Sequence, residues 1–531
     1  MTKPADVVSP TTRGGLTPEA RMVFIGLLLG MLVATISQTI VAPAMPVIVA
    51  ELGGIEHYSW LATAAMLLSA VVVPVVGKLS DLYGRRVFYI AGLVIFMLGA
   101  VLAGMAMSFW WLVGARALQG LGMGALMTLS QTIIGDIMPA RQRGKYQGLM
   151  GSVFGLTSIG GPLIGGWVTD TWGWRWLFFA AVPIGVAALM FITKYLKLPH
   201  IQRRAQIDVA GIITLTGALV AILLATSWGG TTYPWGSPQI IGLYAVGLVL
   251  LAVFIPVELR AAEPVLPLRL FANSIVTFSN IASLAVSMAM FGAIFYIPVF
   301  AQGVIGVNAT TSGAIMIPMS AALLLVGIAV GFLITKTGRY KIFVVGGGLI
   351  MLVGFVLLAQ LDHTSSELAL ILAMVVVGVG LGGSMQTFTV IVQNAVSRAD
   401  LGVATAATQF FRNAGATIGV ALLGTIMSSR VAASLPAYLP AGATGPGGME
   451  INADAVLDPQ LVTQLPEDIA LAVRHALGDG LHGVFVAAIP LALIAVIASL
   501  FVKVIPLRET LEPLEAPADA VGEGRAEVDP Q

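Results

Sequence analysis

Fourteen long apolar segments follow one another along the chain, and they constrain its fold more than any other feature of the sequence. Each is long enough to form a helix across the ~30 Å hydrocarbon core of a bilayer. The segments lie at residues 22–50, 59–79, 87–107, 110–134, 147–169, 176–196, 209–228, 239–257, 275–299, 309–334, 342–359, 368–392, 401–428 and 481–502. Charged residues make up 10% of the chain, against about 25% in soluble domains, so large soluble domains are excluded. The sequence therefore predicts an all-α membrane protein surrounded by the lipid bilayer.

The positions of Lys and Arg predict the orientation of these segments. Cytoplasmic loops of membrane proteins are enriched in both residues. With the N-terminus in the cytoplasm, 22 of the 27 Lys and Arg residues fall on the cytoplasmic side, three fall outside, and Arg116 and Arg412 lie within spans. We therefore expect a multi-pass protein of the plasma membrane with both termini in the cytoplasm. The net charge of +1 provides no field that would attract nucleic acid, so we expect no nucleic-acid partner.

Changes in composition divide the chain into five predicted parts. They are a cytoplasmic tail (1–21), an N-terminal six-helix bundle (22–196), two inserted helices with their linkers (197–274), a C-terminal six-helix bundle (275–507) with an external loop (430–480), and a cytoplasmic tail (508–531). The last part is acidic and contains several prolines, a composition typical of disorder.

An internal repeat relates two of the short cytoplasmic loops. Gly77, Leu79, Gly84 and Arg85 recur 254 residues later in the segment 331–340. Each copy follows the second span of a set of six, if the two helices in the middle of the chain are an insertion. Two six-helix halves in parallel arrangement are typical of transporters whose substrate site lies near the membrane midplane.

The first copy of the repeat carries the residues expected of a gate. The predicted gating residues are Gly77, Asp81, Gly84, Arg85 and Arg86. The glycines permit a sharp turn between closely packed helices. Asp81 and Arg85 are able to pair with charges or helix ends that separate when the protein opens to the cytoplasm. In the alternative interpretation, the two arginines only keep the loop in the cytoplasm. The recurrence of the motif in the second half of the chain favours the gate over this alternative.

Two arginines within spans indicate a transport pathway. Arg116 is followed one turn later by Gln119, and Gln409 precedes Arg412 by one turn. A buried guanidinium is costly unless it is paired, so we expect both arginines to face other helices or a wet cavity. The alternative for Arg116 is bonding to backbone carbonyls of a neighbouring helix.

Other polar residues of the apolar spans are further candidates for the pathway. They are Ser37, Gln38, Gln386, Gln393 and Asn394. Each of them could instead make an ordinary hydrogen bond between helices.

The fifth span combines closely spaced glycines with a proline. Gly155, Gly161, Pro162 and Gly165 predict a kinked hinge, because small residues allow close packing and proline interrupts the helical hydrogen bonds. Plain helix packing is the alternative.

These motifs resemble those of the major facilitator superfamily. Residues 77–86 resemble its loop motif between spans two and three, and residues 116–120 resemble its span-four motif. Residues 151–166 are similar to the span-five signature associated with antiporters. The resemblance implies a major facilitator fold of two six-helix bundles plus two inserted helices, which gives 14 transmembrane helices.

Further motifs narrow the resemblance to the fourteen-span drug:proton antiporter branch. Residues 36–41, 174–176 and 263–271 carry this part of the resemblance. It implies a bacterial secondary transporter, not an enzyme, that exports amphipathic drugs, antibiotics or metabolites by alternating access in exchange for protons. The expected partners are a small amphipathic substrate and protons, and we expect a monomer.

The chain departs from this branch in its first span. Ser37 occupies the position at which the branch usually has Asp. Serine cannot carry a proton, and the Asp and Glu residues lie at or beyond the ends of the spans. Asp136, at the cytoplasmic end of span four, is therefore the candidate proton site. The alternative is a facilitator, or a lipid or metabolite exporter, that is not coupled to protons through a span-one carboxylate.

Nothing in the sequence indicates a cofactor or a metal. The five histidines form no metal-binding spacing, and the chain has no cysteine.

Overall fold

The structure, a computed structural model, describes eight stretches of the chain. They are residues 11–12, 15–41, 44–53, 60–197, 207–230, 233–307, 309–439 and 466–509. Most of the predicted N-terminal tail, the middle of the predicted external loop and residues 510–531, with their predicted disorder, lie outside the described residues. The side chain of Pro162 also lies outside them.

Sixteen α-helices are present in the described residues, and they account for nearly all of the regular structure. They are α1 (Pro18–Thr39), α2 (Met45–Leu52), α3 (Trp60–Tyr83), α4 (Arg85–Gly104), α5 (Phe109–Ile137), α6 (Ala140–Trp172), α7 (Arg175–Phe179), α8 (Ala181–Tyr195), α9 (Val209–Trp228), α10 (Pro238–Arg260), α11 (Ser274–Val299), α12 (Ala309–Thr337), α13 (Lys341–Ala359), α14 (Glu367–Ala395), α15 (Leu401–Tyr438) and α16 (Glu467–Phe501).

Short elements complete the fold. Leu268–Ala272 and Arg398–Asp400 form 3₁₀ turns, and Phe300–Ile305 continues α11 as a π-helix. Two antiparallel two-residue strands, β1 (Thr11–Thr12) and β2 (Gly15–Leu16), precede α1.

Thirteen of the described helical stretches are long and apolar enough to cross a membrane, and the bent α6 brings the number to 14. The two parts of α6, Ala140–Gly161 and Leu163–Trp172, meet at 43°. The bend lies at Pro162, which cannot donate a backbone hydrogen bond within the helix. The all-α membrane fold and the number of spans predicted from the sequence are confirmed.

Helices extend into the predicted external loop, residues 430–480, from both sides. α15 continues to Tyr438 and α16 begins at Glu467, so only residues between them are left for a loop. Val431 on α15 and Leu477 on α16 are buried in one apolar core, which stabilises these helix extensions. Arg430 begins the extension of α15, and Glu467, Asp468, Arg474 and Asp479 lower the mean hydropathy of the extension of α16, so neither stands out as an apolar span.

The helices pack as two groups with separate cores. One extended core draws its buried side chains from Val23 to Leu196, and another draws nearly all of its side chains from Ile275 to Leu507. α9 and α10 pack on each other, and α9 also contacts α3 and α15. The two groups meet mainly where α6 packs against α12 and where α3 packs against α15.

These contacts between the groups lie largely toward one end of the molecule, here called the basic end because Lys78, Arg85, Arg141 and Lys336 lie there. The other end, where α5 begins, is called the opposite end. The turn glycines of the two repeat copies both lie at the basic end and have left-handed backbones, with φ of 97° at Gly84 and 71° at Gly338. Glycine adopts this conformation without the strain that a side chain would bring.

Candidate functional site

Three buried charged residues form a cluster at the basic end, here called the gate cluster: Asp81, Arg85 and Asp136. The Arg85 Nε donates a hydrogen bond to Asp136 Oδ2 at 2.8 Å, and the Arg85 Nη1 pairs with Asp81. Ser80 Oγ accepts a further hydrogen bond from Arg85 at 2.9 Å. Both the arginine and Asp136 are only 8% exposed. One buried cation therefore holds two carboxylates together.

The gate cluster also ties the two groups of helices to each other. Asp81 Oδ2 accepts a hydrogen bond from the backbone N–H of Val403, in the first turn of α15, at 2.9 Å. A carboxylate is stabilised at a helix N-terminus, where unpaired N–H groups and the helix dipole are positive. Gly402 lies directly against Asp81 and Arg85, where any side chain would collide. Separation of α3 from α15 would break this contact.

The second copy of the repeat makes a different contact. Thr335 stands in the place of Asp81, and Arg339, in the place of Arg85, is exposed. The backbone carbonyl of Thr335 accepts a hydrogen bond from Arg141 of α6, and its Oγ1 accepts one from the Lys145 N–H at 3.1 Å. The second copy therefore joins α12 to the start of α6, and within the described part of the chain it makes no ion pair of the kind seen at Arg85.

The remaining predicted gating residues occupy two kinds of position. Gly77 lies against Ala406 of α15 and belongs to the contact between the groups. Arg86 is exposed and donates to the Thr193 carbonyl of α8 at 2.6 Å, so it lies apart from the gate cluster. Sequence reasoning missed the pair between Lys78 and Glu263, 2.6 Å long, which ties α3 to the segment after α10.

Glycines of α6 set how closely the two groups approach at the basic end. Gly144 lies against Gly331 and Gly148 against Gly327, so the backbones of α6 and α12 are in contact. Beyond them, the predicted hinge glycine Gly155 still packs on α12.

The other two predicted hinge glycines, Gly161 and Gly165, pack on the end of α1. The glycines of α6 nearest the basic end therefore contact the other group, and those next to the bend contact α1 of its own group.

We expect Gly148→Leu to prevent closure of the basic end. A methyl group at Gly148 would lie 2.6 Å from the carbonyl oxygen of Gly327, so α6 and α12 would be forced apart. Transport should be lost, and a single cysteine at buried Thr405 should become reactive toward an impermeant maleimide. The chain has no native cysteine, so the label reports this position alone. Gly346→Leu is the matched control, because the space around Gly346 is open; an unreactive Thr405→Cys in the Gly148 variant would contradict the expectation.

A second polar site surrounds Arg116, near the opposite end. Its Nη1 donates to Gln119 Oε1 at 2.7 Å, to Ser37 Oγ at 3.1 Å and to the Ser37 carbonyl at 3.3 Å. Its Nε donates to the carbonyl of Leu61 at 3.2 Å, and the guanidinium lies 6.0 Å from the ring centre of Phe178. Arg116 is 3% exposed, and these recorded hydrogen-bond acceptors are all neutral. Two of the four acceptors are backbone carbonyls, as the alternative interpretation of Arg116 predicted, and the other two are side-chain oxygens.

Arg412 is arranged in a similar way in the second group. It is buried and donates to Gln409 Oε1, and Gln409 Nε2 lies 3.4 Å from Asn413 Oδ1. Because α5 and α15 run in opposite directions between the two ends, the arginine of each Arg–Gln pair lies nearer the opposite end.

Two of the other predicted pathway residues belong to the closed basic end. Gln393 donates to the carbonyl of Gln131 at 3.0 Å and to Thr405 Oγ1 at 3.1 Å. Asn394 donates to the carbonyl of Pro506 at 3.2 Å. These contacts fit the alternative of hydrogen bonds between elements.

Gln386 is half-buried against Gly151, and its Oε1 has no hydrogen-bond partner among the described residues. Gln38 is half-buried near the end of α1.

Comparison with known proteins identifies the family. The sequence profile of the Major Facilitator Superfamily matches residues 27–420. The Multidrug transporter protein MdtP of Bacillus subtilis (strain 168) is 38% identical over 516 residues, covering 93% of this chain and 95% of that protein. Multidrug resistance protein 3 of the same organism is 33% identical over 500 residues, covering 93% and 97%.

A solved structure agrees with the fold. The human organic anion transporter MFSD10 (TETRAN) matches with a TM-score of 0.61 at 14% identity, over 90% of this chain and 100% of that one. At this level of identity the match concerns the fold alone. Profile, relatives and fold agree, and the chain belongs to the major facilitator superfamily of secondary transporters.

Proposed function

We propose that this transporter exports amphipathic drugs, antibiotics or metabolites across the plasma membrane by alternating access, in exchange for protons. The gate cluster is the observation that carries the proposal. It joins the two groups of helices through an ion pair and a helix N-terminus, which are contacts that water can replace when the groups separate. The names of the two Bacillus relatives, a multidrug transporter and a multidrug resistance protein, support export of such compounds.

In this proposal the basic end faces the cytoplasm and both termini lie there. The concentration of Lys and Arg supports this orientation. The described structure is then the state that is closed to the cytoplasm. Residues 22–196 and 275–507 move as two bundles, and the inserted helices within 197–274 accompany them.

The orientation is testable with reporter fusions. A reporter that is active only outside the cell should be active when inserted within residues 440–465 and silent when fused near Arg204. The reverse pattern would contradict the proposed orientation.

Asp136 is the proposed proton site. It shares Arg85 with Asp81, so the gate cluster holds two carboxylates for one cation. Protonation of one carboxylate would leave the cluster without net charge and would change the strength of its contact with the first turn of α15. A proton arriving at the basic end would in this way favour one state of the gate.

A second candidate function is a facilitator, or a lipid or metabolite exporter, without coupling through a span-one carboxylate. The contact between Ser37 Oγ and Arg116 Nη1 favours it, because a serine occupies the place beside the buried arginine where a titratable carboxylate would act.

Substrate flux in inverted membrane vesicles distinguishes the two candidates. Accumulation of an amphipathic fluorescent compound should increase when a pH gradient is imposed, and Asp136→Asn should abolish this increase. Exchange of substrate for protons that appears only in Ser37→Asp would support the second candidate. Absence of substrate flux under all conditions would contradict both candidates.

A further inference from the structure

Arg116 has no ion-pair partner among the described residues. Its recorded hydrogen-bond acceptors are two backbone carbonyls, a serine hydroxyl and a glutamine carbonyl. A buried cation is strongly disfavoured unless an anion or a wet cavity compensates it. Hydrogen bonds to an ionised acceptor are roughly twice as strong as those to neutral groups. An anion that replaced these neutral acceptors would therefore bind favourably.

Gln119 adds a second donor at the same place. Its Oε1 accepts from Arg116 at 2.7 Å, which fixes the orientation of the side-chain amide. Its Nε2 is then a donor that has no acceptor among the described residues, although the side chain is only 1% exposed. A buried donor without a partner costs about 1–3 kcal/mol. Together, the guanidinium and this amide offer adjacent donors to an oxyanion.

Acidic side chains in the described spans lie away from this site. Most of them lie near helix ends, and Asp479 lies where α16 packs beside Tyr438. The full set is Glu19, Asp81, Asp136, Asp170, Glu258, Glu367, Glu467, Asp468 and Asp479. Two of these carboxylates already share Arg85. Arg412, a buried arginine of α15, donates to the neutral Gln409. The interior of the described spans therefore carries positive charge without a nearby carboxylate.

The depth of Arg116 also suits a substrate site. It lies seven residues into α5, about 10 Å from the opposite end, whereas the tight glycine contacts close the basic end. Phe178 provides apolar surface beside the guanidinium. An amphipathic anion can place its charge on Arg116 and Gln119 and its hydrocarbon part against such side chains. A membrane potential that is negative inside would favour outward movement of this charge.

Resting on the export function proposed above, we infer that the transported substrates are amphipathic anions, such as aryl carboxylates or sulfonates, bound by Arg116 and Gln119. Ser37 then acts as a selectivity position. Its Oγ lies 3.1 Å from Arg116 Nη1, so a carboxylate at residue 37 would pair with the guanidinium and compete with the substrate. The serine leaves the positive charge available.

The test compares three dyes that share one ring system in inverted vesicles: an aryl sulfonate, its neutral sulfonamide and an aryl trimethylammonium. The native protein should transport the sulfonate in preference to the cation. Ser37→Asp should lower the ratio of sulfonate to sulfonamide flux by at least about tenfold, because the new carboxylate neutralises Arg116. The neutral variant Ser37→Asn should lower this ratio much less. Arg116→Lys should retain more sulfonate flux than Arg116→Gln.

Transport of the cation in preference to the sulfonate would overturn the inference. An unchanged flux ratio in Ser37→Asp would overturn it as well. Absence of flux for all three dyes, in protein that reaches the membrane, would contradict the proposed export function instead.

Discussion

Asp81→Asn is expected to reduce transport by about tenfold or more, with the amount of protein in the membrane unchanged. A carboxylate at a partly buried helix N-terminus is worth up to about 2 kcal/mol, which changes the population of the closed state by up to about thirtyfold. The variant would lose the charge that binds both Arg85 and the first turn of α15. Because Arg85 would still form its ion pair with Asp136, the variant should still fold. Initial rates of flux, normalised to protein detected in the membrane, measure the effect.

The repeat provides the matched control. Arg339 stands in the second copy where Arg85 stands in the first, but it is exposed and outside the gate cluster. Arg339→Gln should change flux by less than about twofold, whereas Arg85→Gln should impair it strongly. Equal effects of the two arginine variants, or native flux in Asp81→Asn, would contradict the role of the gate cluster in gating.

Arg116→Ala is expected to lower transport by about a hundredfold or more. A hydrogen bond that involves a charged group is worth about 1.5–3 kcal/mol, and Arg116 makes several of them. The variant would remove the hydrogen bonds that join α5 to Ser37 and Leu61 and would leave Gln119 without its donor. Flux of an amphipathic dye in vesicles that contain equal amounts of protein measures the loss.

Arg175→Ala is the control for Arg116→Ala. The Arg175 side chain is 37% exposed, pairs with Glu51 at 2.7 Å and lies over the ring of Trp174. Hydrogen bonds from Trp174 and then from Arg175 hold the pKa of Glu51 below its ordinary value, so the pair is ionised at neutral pH. An exposed pair of this kind is worth at most about 1 kcal/mol, so transport should fall by less than about fivefold. A loss as large as that of Arg116→Ala would argue against a special role for the buried arginine.

The sequence predicted the spans well because hydropathy alone decides which segments cross a bilayer. The helices continue beyond the predicted spans at residues 430–438 and 467–480. Buried contacts such as that between Val431 and Gly480 maintain these extensions. Contacts of this kind join segments that are distant in the chain, and no local pattern reports them.

The sequence indicates which residues belong to the candidate site, but it does not indicate all of the contacts that they make with one another. Asp81 and Arg85 are four residues apart, so their pair could be expected from the sequence. The position of Asp136 at a span end makes it a candidate proton site. Its contact with Arg85, however, depends on how α4 packs on α5. The backbone N–H of Val403 carries no signal in the sequence, because every helix N-terminus offers such groups.

In the proposed transport cycle, the basic end alternates between the described closed state and an open one. Spin labels at Tyr83→Cys and Arg339→Cys, two exposed positions on different groups of helices, would measure the distance between the groups in this otherwise cysteine-free chain. We expect two distance populations, of which Asp81→Asn enriches the longer one and substrate changes the proportions. A single distance that neither Asp81→Asn nor substrate changes, in protein that still transports, would contradict it.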